Sequence, residues 1–580
     1  MYHKKYTFIP AKVTDSSNQN DNGVIAIEMQ ELYSPETGYG FVTEKNYREQ
    51  PLLQIPELNS AFIPVPWYQG SDSSTVREDL RQIPLCFKCD VPTPGNYRVK
   101  VTIQPEEPMQ DIRIFTGRRR LAVQHPHLAA GEKLCEEVIV NVCDIIPRGH
   151  EEVFQDSSID LTVTADHPCI SEIEVTSIEC PTLYICGDST VTDQSADYPY
   201  APETCYAGWG QMMPLMLDSE VSVSNHSHSG LTTESFRTEG HYEIVKQYAK
   251  AGDYLFLQFA HNDQKLDHLK AEGGYRDNLV QYIEECRQSG IHPLIVTPVA
   301  RNTWKGNDDS YNDLLIDYAD VCLKLGKELD VPVLDLHKLS MEFVLEKGKE
   351  DAKAYFFPSD YTHHNDCGAI LMASFVCQEI RRTCTAHHDP AYQKLAGYLK
   401  EPSGNLPTPR NIAPMQAPEG YEQPDAAADI FADLSEPDAP LLRADALDMV
   451  IQSAGFFQTN VYNDLFTDVI GHEWYAGTVE CALQNGIIIP EVCGDGLFYP
   501  QEPVTLEHFI VFAMNGYLSR KSAPAQQPCP YDDLADEWAL SYIRMAYGFG
   551  VLAEDKSDIL GQGISRMRGA QICKALKIRS

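Results

Sequence analysis

The sequence predicts a three-layer α/β domain in the middle of the chain, with a β-sandwich before it and a helical repeat region after it. Three observations predict this class. Residues 1–178 show period-two runs between turns, residues 179–386 alternate short apolar runs with helical segments, and residues 437–580 contain an internal repeat. Since 580 residues exceed what one hydrophobic core can organise, several domains are expected.

The pattern of the amino-terminal region predicts antiparallel strands. Apolar residues alternate from Tyr97 to Ile103 after the turn sequence PTPGN, and VIVNV at 138–142 continues the pattern. Several such runs between Pro and Gly turns predict a β-sandwich over residues 1–178. Two roles are open to it: a carbohydrate-binding module, or a strut that shapes one wall of a neighbouring site.

The central region alternates strand and helix patterns. The apolar runs LYICGDS, DYLFLQFAHND, HPLIVTPV and VPVLDL are each separated by a segment with helical periodicity. This alternation predicts a parallel sheet that is covered by helices on both faces. Ligands of such sheets bind beyond the carboxyl ends of the strands, so we expect the chemically active residues directly after strands.

The last third of the chain combines a linker and a repeat. Residues 387–436 are rich in Pro, Ala and acidic residues, which predicts a linker. Within 437–580, the segment that begins FTDVIGHEW is similar to the one that begins YDDLADEW. Each copy has an aromatic-acidic opening, a Trp-containing helix and a Gly-Ile or Gly-Val turn. Repeats of this size need their neighbours to complete a core.

Charge and cysteine usage limit the partners and the compartment. The chain has 46 Lys and Arg against 84 Asp and Glu, a net charge of −38, which excludes nucleic acid and anionic membranes as expected partners and favours a neutral sugar polymer. The first twenty residues lack the apolar run of a secretory signal, and the chain lacks the run of about 18 apolar residues that spans a bilayer. Together with 17 irregularly spaced cysteines, this favours the cytoplasm.

Four strand-end motifs carry the chemistry of an ester hydrolase. Ser189 in ICGDST is a candidate nucleophile, His363 in SDYTHHNDCGA is its candidate base, and Asp360 can orient that imidazole. Gly208 in AGWGQ and Asn262 in FAHND can supply hydrogen-bond donors to an oxyanion. Taken alone, GDS also fits an ordinary strand-to-turn sequence and DYTHH a helix cap.

The order of these motifs resembles the four sequence blocks of the SGNH (GDSL) hydrolases. GDSTVTDQ, GWGQ, NHSHSGLTTESF, TPVAR and DYTHHNDCGA look like the rhamnogalacturonan acetylesterase branch over about 182–386. The resemblance implies a flavodoxin-like three-layer fold and a catalytic triad of Ser189, Asp360 and His363. It also implies oxyanion donors from the N–H groups of Ser189 and Gly208 and the amide of Asn262. Acetylated pectin-type carbohydrate is the implied substrate, with no metal or organic cofactor.

Several residues depart from the family pattern or allow other interpretations. Ala260 stands where the family commonly has Gly, and Leu231 takes the place of an Arg. His226 and His228 alternate as in a metal pair, but the resemblance accounts for their loop without a metal. The run Arg118–Arg120 predicts a solvated turn, with contact to a sugar acid as the alternative.

The carboxyl-terminal repeat resembles S-layer homology modules. LLRADALDM at 441–449 looks like the closing helix of one copy, and FTDV at 466–469 opens the next. The family's Thr-Arg-Ala-Glu-like motif is kept in part at Arg443 and Arg566, whereas the middle copy has Leu506. The resemblance implies cell-wall polysaccharide as a partner and makes the cell surface the alternative to the cytoplasm.

Two further functions compete with acetyl ester hydrolysis. A broader acyl-ester hydrolase or lipase of the same superfamily would prefer longer acyl chains. A cell-wall glycan-binding protein with an inactive esterase core would bind polysaccharide without turnover.

Overall fold

The computed structural model of the chain describes residues 2–9, 24–28, 31–42, 62–64, 82, 84–146, 152–305, 310–400, 406, 408–413, 434, 436–456, 458–459, 461–462, 466–469, 471, 473–489, 493 and 496–578. These residues cluster into two compact units. The first unit comprises 1–300, 315–358 and 362–417, and the second comprises 301–314, 359–361 and 418–580.

The amino-terminal part of the first unit contains two sheets of five strands, ordered β2-β1-β11-β6-β9 and β3-β5-β10-β7-β8. Neighbouring strands are antiparallel, apart from the parallel pair β1 and β2. The strands of this part are β1 (His3–Ile9), β2 (Val24–Glu28), β3 (Tyr39–Val42), β4 (Phe62–Pro64), β5 (Leu85–Asp90), β6 (Gly95–Ile103), β7 (Met109–Thr116), β8 (Arg120–Leu128), β9 (Leu134–Val142), β10 (Ser158–Thr164) and β11 (Glu172–Ile178).

The two sheets share one hydrophobic core. The alternating apolar residues from Tyr97 to Ile103 lie on β6 and are buried, as a strand with one face on a core requires. Tyr6 of the first sheet packs edge-on against Phe87 of the second, with ring centroids 5.3 Å apart. The period-two pattern therefore places these side chains between the sheets.

A parallel sheet forms the centre of the first unit, with the order β14-β12-β15-β16-β18. Its strands are β12 (Thr182–Gly187), β14 (Ser222–Asn225), β15 (Tyr254–Gln258), β16 (His292–Val296) and β18 (Val333–Leu334). A short strand, β13 (Ala196–Tyr198), pairs with β4 instead. In sequence order the sheet reads 2-1-3-4-5, the arrangement of flavodoxin-like folds. The chain leaves β12 at Gly187, next to the switch point between β12 and β15.

Helices cover both faces of the parallel sheet. Alternate residues of one strand serve opposite faces, because Ile185 packs in one apolar cluster and Tyr184 in another. The α-helices of this unit are α1 (Trp209–Met216), α2 (Ser235–Thr238), α3 (His241–Tyr248), α4 (Arg276–Gln288), α5 (Ile316–Leu329), α6 (Leu336–Asp351), α7 (Asp366–Cys384) and α8 (Pro390–Gly397). Shorter helical turns occupy Pro202–Thr204, Asp263–Lys265, Asp267–Leu269, Ala271–Tyr275 and Ala352–Tyr355.

Two features bear on the predicted domain limits, which remain predictions. Phe115 and Leu121, from the second amino-terminal sheet, belong to the same buried cluster as Trp209 and Met212 of α1. The sheets before 178 and the parallel sheet after it are thus parts of one compact unit. Helix α8 lies beyond 386, in the segment predicted as a linker, and buries Leu395 in that cluster. Residues 414–433 of that segment lie outside the described residues.

The second unit is largely helical around a core of its own. Its helices are α9 (Arg443–Ser453), α10 (Ala476–Gln484), α11 (Leu506–Leu518), α12 (Leu540–Gly548) and α13 (Arg566–Leu576), and its short strands β17 (Trp304–Lys305) and β19 (Val461–Tyr462) pair in parallel. The segments that enter α9, α11 and α13 form bridges with one another, which gives three helix starts a common arrangement. Across the described chain, we find no helix with the length and apolar character to cross a membrane.

Candidate active site

Ser189 and His363 meet beyond the carboxyl end of the parallel sheet. Ser189 follows β12 directly, and its Oγ lies 2.7 Å from Nε2 of His363. His363 precedes α7, and its carbonyl accepts a hydrogen bond from the N–H of Phe357 at 2.9 Å. Both side chains are half-buried. A hydroxyl and an imidazole at this distance have the geometry that proton transfer from serine to histidine needs.

Asp360 lies three residues before His363, in a segment that clusters with the second unit. Its side chain is half-buried. The neighbouring carbonyl of Tyr361 accepts a hydrogen bond from the N–H of Asn302 at 2.9 Å, within the second unit. The pairing of Asp360 with the imidazole of His363 stays a prediction from sequence spacing.

Gly208 lies against the loop that carries Ser189. A Cβ at this position would lie 2.2 Å from the carbonyl carbon of Val191, so any side chain would clash with fixed backbone. The next residue, Trp209, donates its N–H to the carbonyl of Thr190 at 3.1 Å. Within the described part of the chain, the backbone N–H groups of Ser189 and Gly208 donate to no acceptor. Two unused donors beside the nucleophile can receive an oxyanion.

Asn262 follows β15, and among the described residues its side-chain amide uses one of its two hydrogens. Its Nδ2 donates to the carbonyl of Leu231 at 3.1 Å, which uses one of two N–H bonds. Two residues earlier, Ala260 has a φ of 118°, a conformation that glycine adopts far more readily. This backbone conformation explains why the family pattern commonly has glycine there. The N–H of Ala260 donates to Asp263 at 3.1 Å and holds the turn.

A buried ion pair lies between the nucleophile and Asn262. Asp188 Oδ2 is 3.0 Å from Nδ1 of His261, and Nε2 of His261 is 3.0 Å from the carbonyl oxygen of Val299. Burial alone would raise the pKa of Asp188, but His261 and Thr190 stabilise the carboxylate and lower it. Both ring nitrogens of His261 thus lie at hydrogen-bond distance from an oxygen, which fixes the orientation of the ring beside Asp188.

A second chain of hydrogen bonds connects residues next to Ser189 and Gly208 with the end of β15. Thr190 donates its hydroxyl to Asp188 at 2.7 Å and accepts from Gln258 at 2.9 Å. Gln258 in turn accepts from the indole N–H of Trp209 at 2.7 Å. Thr190 and Gln258 are not predicted from the sequence, and Asp188 and His261 enter the prediction only as neighbouring positions of the motifs. Asp188, Thr190 and His261 each adjoin a candidate residue in the sequence, whereas Gln258 ends β15 and carries no such signal.

Two stacked aromatic rings lie next to His363. Tyr206 and Phe357 stack with centroids 3.6 Å apart, and Tyr206 meets the ring of His363 edge-on at 5.7 Å. This pair restricts the orientations open to the imidazole.

Groups with metal-ligand chemistry lie away from these residues. Asp330, His387 and His388 have ligand atoms within 4.8 Å of one another. However, Nδ1 of His387 accepts a hydrogen bond from the N–H of Asp389, so a neutral ring carries its hydrogen on Nε2, the atom that faces Asp330. His226 is buried and its Nε2 lies 2.9 Å from the hydroxyl of Ser224, in a polar contact with a side chain.

In the second unit, other residues of the protein hold the guanidinium of Arg443. Its Nε donates to the carbonyl of Phe498 at 2.7 Å, and its Nη1 lies 2.9 Å from Nδ1 of His508. Arg566 approaches Asp445 at 3.8 Å, and Leu506 is buried. The guanidinium of Arg443 thus points into the protein.

Comparisons with known proteins identify a family in each of two regions of the chain. The GDSL-like Lipase/Acylhydrolase family model matches residues 185–369, and the S-layer homology domain model matches residues 465–510. Both matches lie where the sequence motifs resemble these families. The GDSL-like match includes Ser189, Gly208, Asn262, Asp360 and His363.

Curated relatives from Bacillus subtilis (strain 168) cover the same region. Rhamnogalacturonan acetylesterase RhgT is 34% identical over 211 residues, which are 34% of this chain and 88% of that protein. Probable rhamnogalacturonan acetylesterase YesY is 32% identical over 210 residues, 34% of this chain and 92% of that protein. The uncharacterized esterase YxiM is 25% identical over 380 residues, 63% of this chain and 89% of that protein. The chain therefore belongs to the GDSL-like lipase/acylhydrolase family and is a carboxylic ester hydrolase with an S-layer homology domain in its carboxyl-terminal part.

Proposed function

We propose that the chain is an acetylesterase that removes acetyl groups from a pectin-type carbohydrate, with Ser189, His363 and Asp360 as its catalytic triad. The observation that carries this proposal is the distance of 2.7 Å between Ser189 Oγ and His363 Nε2. A serine hydroxyl is a poor nucleophile until a base accepts its proton, and His363 is placed to do so. Asp360 holds the imidazole in the productive tautomer.

The proposed reaction has two halves. His363 takes the proton of Ser189 as its oxygen attacks the acetyl carbonyl carbon, and the oxyanion accepts hydrogen bonds from the N–H groups of Ser189 and Gly208 and from Asn262. His363 then protonates the departing sugar oxygen, which leaves acetyl-Ser189. Water attacks this ester and gives a proton to His363, which passes it to Ser189 Oγ as the acyl bond breaks and acetate departs.

The substrate class is supported by the relatives. Two of them carry rhamnogalacturonan acetylesterase in their names and align with 88% and 92% of their own lengths. The net charge of −38 also favours a substrate without many anionic groups near the site. Acetylation adds no charge to a sugar, so neutral acetylated stretches of the polymer are the part we expect the site to bind.

The test measures acetate release from acetylated rhamnogalacturonan by the full chain, and turnover of 4-nitrophenyl acetate and butyrate. We expect activity on the polymer and preference for acetate over butyrate. Ser189→Ala should lower kcat by about 10³ or more, because the nucleophile is lost. Ser374→Ala is the matched control and should leave kcat unchanged, since among the described residues that hydroxyl donates only to the carbonyl of Leu371 within α7.

Other results select the competing functions. Preference for butyrate would support a broader acyl-ester hydrolase. Binding of wall polysaccharide without acetate release, with Ser189→Ala equal to wild type, would support a glycan-binding protein. Either result would contradict the acetylesterase proposal.

For the remaining parts of the chain, we propose that residues 1–178 form a β-sandwich that shapes one wall of the site. Residues 437–580 form S-layer-homology-like repeats with wall polysaccharide as their partner. The match at 465–510 supports this assignment. Because Arg443 is buried and hydrogen-bonded, the polysaccharide would contact other groups of the repeats.

A further inference from the structure

The hairpin between β7 and β8 buries an arginine completely. Gly117 and Arg119 both have positive φ, 53° and 63°, and the side chain of Arg119 is 0% exposed. This result corrects the expectation of a solvated turn at Arg118–Arg120. A non-glycine residue in the left-handed region is strained, so the surroundings must hold it there.

The guanidinium of Arg119 donates hydrogen bonds to three separate segments. Its Nε donates to the carbonyl of Gln194 at 2.9 Å, and its Nη1 lies 2.7 Å from both carboxylate oxygens of Asp366. Its Nη2 donates to the carbonyl of Tyr206. The planar fork of arginine suits this pattern, because its donors point in fixed and different directions.

Each acceptor belongs to a segment that carries a proposed catalytic group. Gln194 lies five residues after Ser189, and its side-chain amide donates to the carbonyl of Ser189 at 3.3 Å. Tyr206 lies two residues before Gly208. Asp366 begins α7, three residues after His363.

Further contacts make the arrangement continuous. The N–H of Ala207, next to Tyr206, donates to the carbonyl of His364 at 2.9 Å, and the hydroxyl of Tyr200 donates to Asp366. One buried cation therefore ties the segments of the nucleophile, the oxyanion donor and the base to one another. It comes from the amino-terminal sheets, outside the 185–369 range of the family match.

We propose that Arg119 is a positioning residue for ester hydrolysis, which sets the relative positions of Ser189, Gly208 and His363 through Gln194, Tyr206 and Asp366. This proposal rests on the proposed function of the triad. It gives the amino-terminal sheets a part in the reaction, because the site is incomplete without the β7–β8 hairpin. Misplacement of reacting groups by about 1 Å can lower the rate about 10²-fold.

The test compares Arg119→Met and Arg119→Lys with Lys88→Met in the full chain. Lys88 is a matched control, because it is a buried cation of the same sheet that donates to Ser158 at 2.6 Å and pairs with Asp160 at 3.5 Å. We measure the Tm, kcat and KM for 4-nitrophenyl acetate, and the rate at which a fluorophosphonate inactivates the enzyme below the melting transition.

We expect both methionine variants to lower the Tm, since each leaves a buried carboxylate unpaired. Only the Arg119 variants should slow inactivation and lower kcat, by about 10²-fold for Arg119→Met. Arg119→Lys should lose less, because an ammonium reaches some of the acceptors. If Arg119→Met does not fold, Arg119→Lys and Asp366→Asn provide the measurement, and both should lower kcat with little change in KM.

The outcomes separate this inference from the proposed function. Wild-type kcat and inactivation rates in folded Arg119 variants would overturn it, as would an equal loss in Lys88→Met. If wild type and Ser189→Ala react equally with the fluorophosphonate, the proposed nucleophile is wrong, and the positioning role falls with it.

Discussion

Ala260 holds a backbone conformation that few alanines adopt. Its φ of 118° is set by the turn that places Asn262, and its N–H donates to Asp263. Strain of this kind costs about 1–3 kcal/mol, more than the added chain entropy of glycine. We therefore predict that Ala260→Gly raises the free energy of unfolding by about 1 kcal/mol in urea denaturation.

Helix α8 supplies the control for this prediction. Ala396 is a helical alanine, so Ala396→Gly should lower the free energy of unfolding by about 1 kcal/mol. An equal loss in Ala260→Gly would show that the turn at 260 is not strained.

His226 makes stability depend on pH. Burial, followed by the nearby His241, lowers its pKa to about 3. An unfolded histidine binds a proton below about pH 6.5, so the unfolded state holds more protons than the folded state between about pH 6.5 and 3. Neutral His226 makes its whole contribution to the free energy of unfolding above about pH 6.5, and this contribution falls as the pH decreases from about 6.5 to 3.

The prediction concerns how steeply the free energy of unfolding falls as the pH decreases. Between pH 7 and 4.5, the free energy of unfolding should fall less steeply in His226→Gln than in wild type, as measured by urea denaturation at each pH. His268→Gln, at an exposed histidine, should keep the wild-type slope. Equal slopes in wild type and His226→Gln would contradict the account.

Sequence reasoning predicted two side chains that the structure brings together, and it missed a residue that long-range packing buries. Ser189 and His363 follow from motifs whose residue types have few other uses, and the structure brings them together. Arg119 was assigned to solvent, because its partner Asp366 lies 247 residues away and local charge patterning carries no information about such contacts. Long-range ion pairs of this kind require the fold.

Asn365 connects the start of α7 to the loop that carries His363. Its Oδ1 accepts from the N–H of Gly368 at 3.0 Å, and its Nδ2 donates to the carbonyls of Ala354 and Phe356 at 2.9 and 3.1 Å. Loss of a cap costs about 1 kcal/mol, and buried carbonyls without donors add about 1–3 kcal/mol. We predict that Asn365→Ala lowers the free energy of unfolding by about 3 kcal/mol and also lowers kcat.

Two variants separate the cap from the tertiary contacts. Asp389→Ala removes the N-cap of α8, whose side chain accepts only from the N–H of Ala391 among the residues described, and should cost about 1 kcal/mol without a change in kcat. Asn365→Asp keeps the cap acceptor and loses the amide donors. Its loss in the free energy of unfolding should therefore lie between those of Asp389→Ala and Asn365→Ala. Equal losses in Asn365→Ala and Asp389→Ala would mean that the tertiary contacts contribute nothing.

At the scale of elements, periodicity predicted the strands better than composition predicted the linker. β12, β15 and β16 lie where short apolar runs predicted buried parallel strands. Helix α8 was missed because the Pro- and acid-rich composition after 386 suggested a linker. The local signal was present, since Asp389 caps the helix and Pro390 occupies its first turn.

At the scale of the whole molecule, the hydrolase unit extends beyond the family match. The match covers 185–369, whereas the first unit also contains the amino-terminal sheets and α8. Shared burial of Phe115 and Leu121 with Trp209 explains this extent, because the second amino-terminal sheet and the parallel sheet complete one core. Sequence patterns identified each sheet but could not show that they share it, since periodicity reports only which face of a strand is buried.

The most direct test of the account is to locate the adduct that a fluorophosphonate forms with the full chain, by mass spectrometry of its peptides. Activation of Ser189 by His363 predicts one adduct for each chain, on the peptide that contains Ser189, and its near absence in His363→Ala over the same time. An adduct on another residue, or equal labelling of wild type and His363→Ala, would contradict the central claim that these two residues form the catalytic pair.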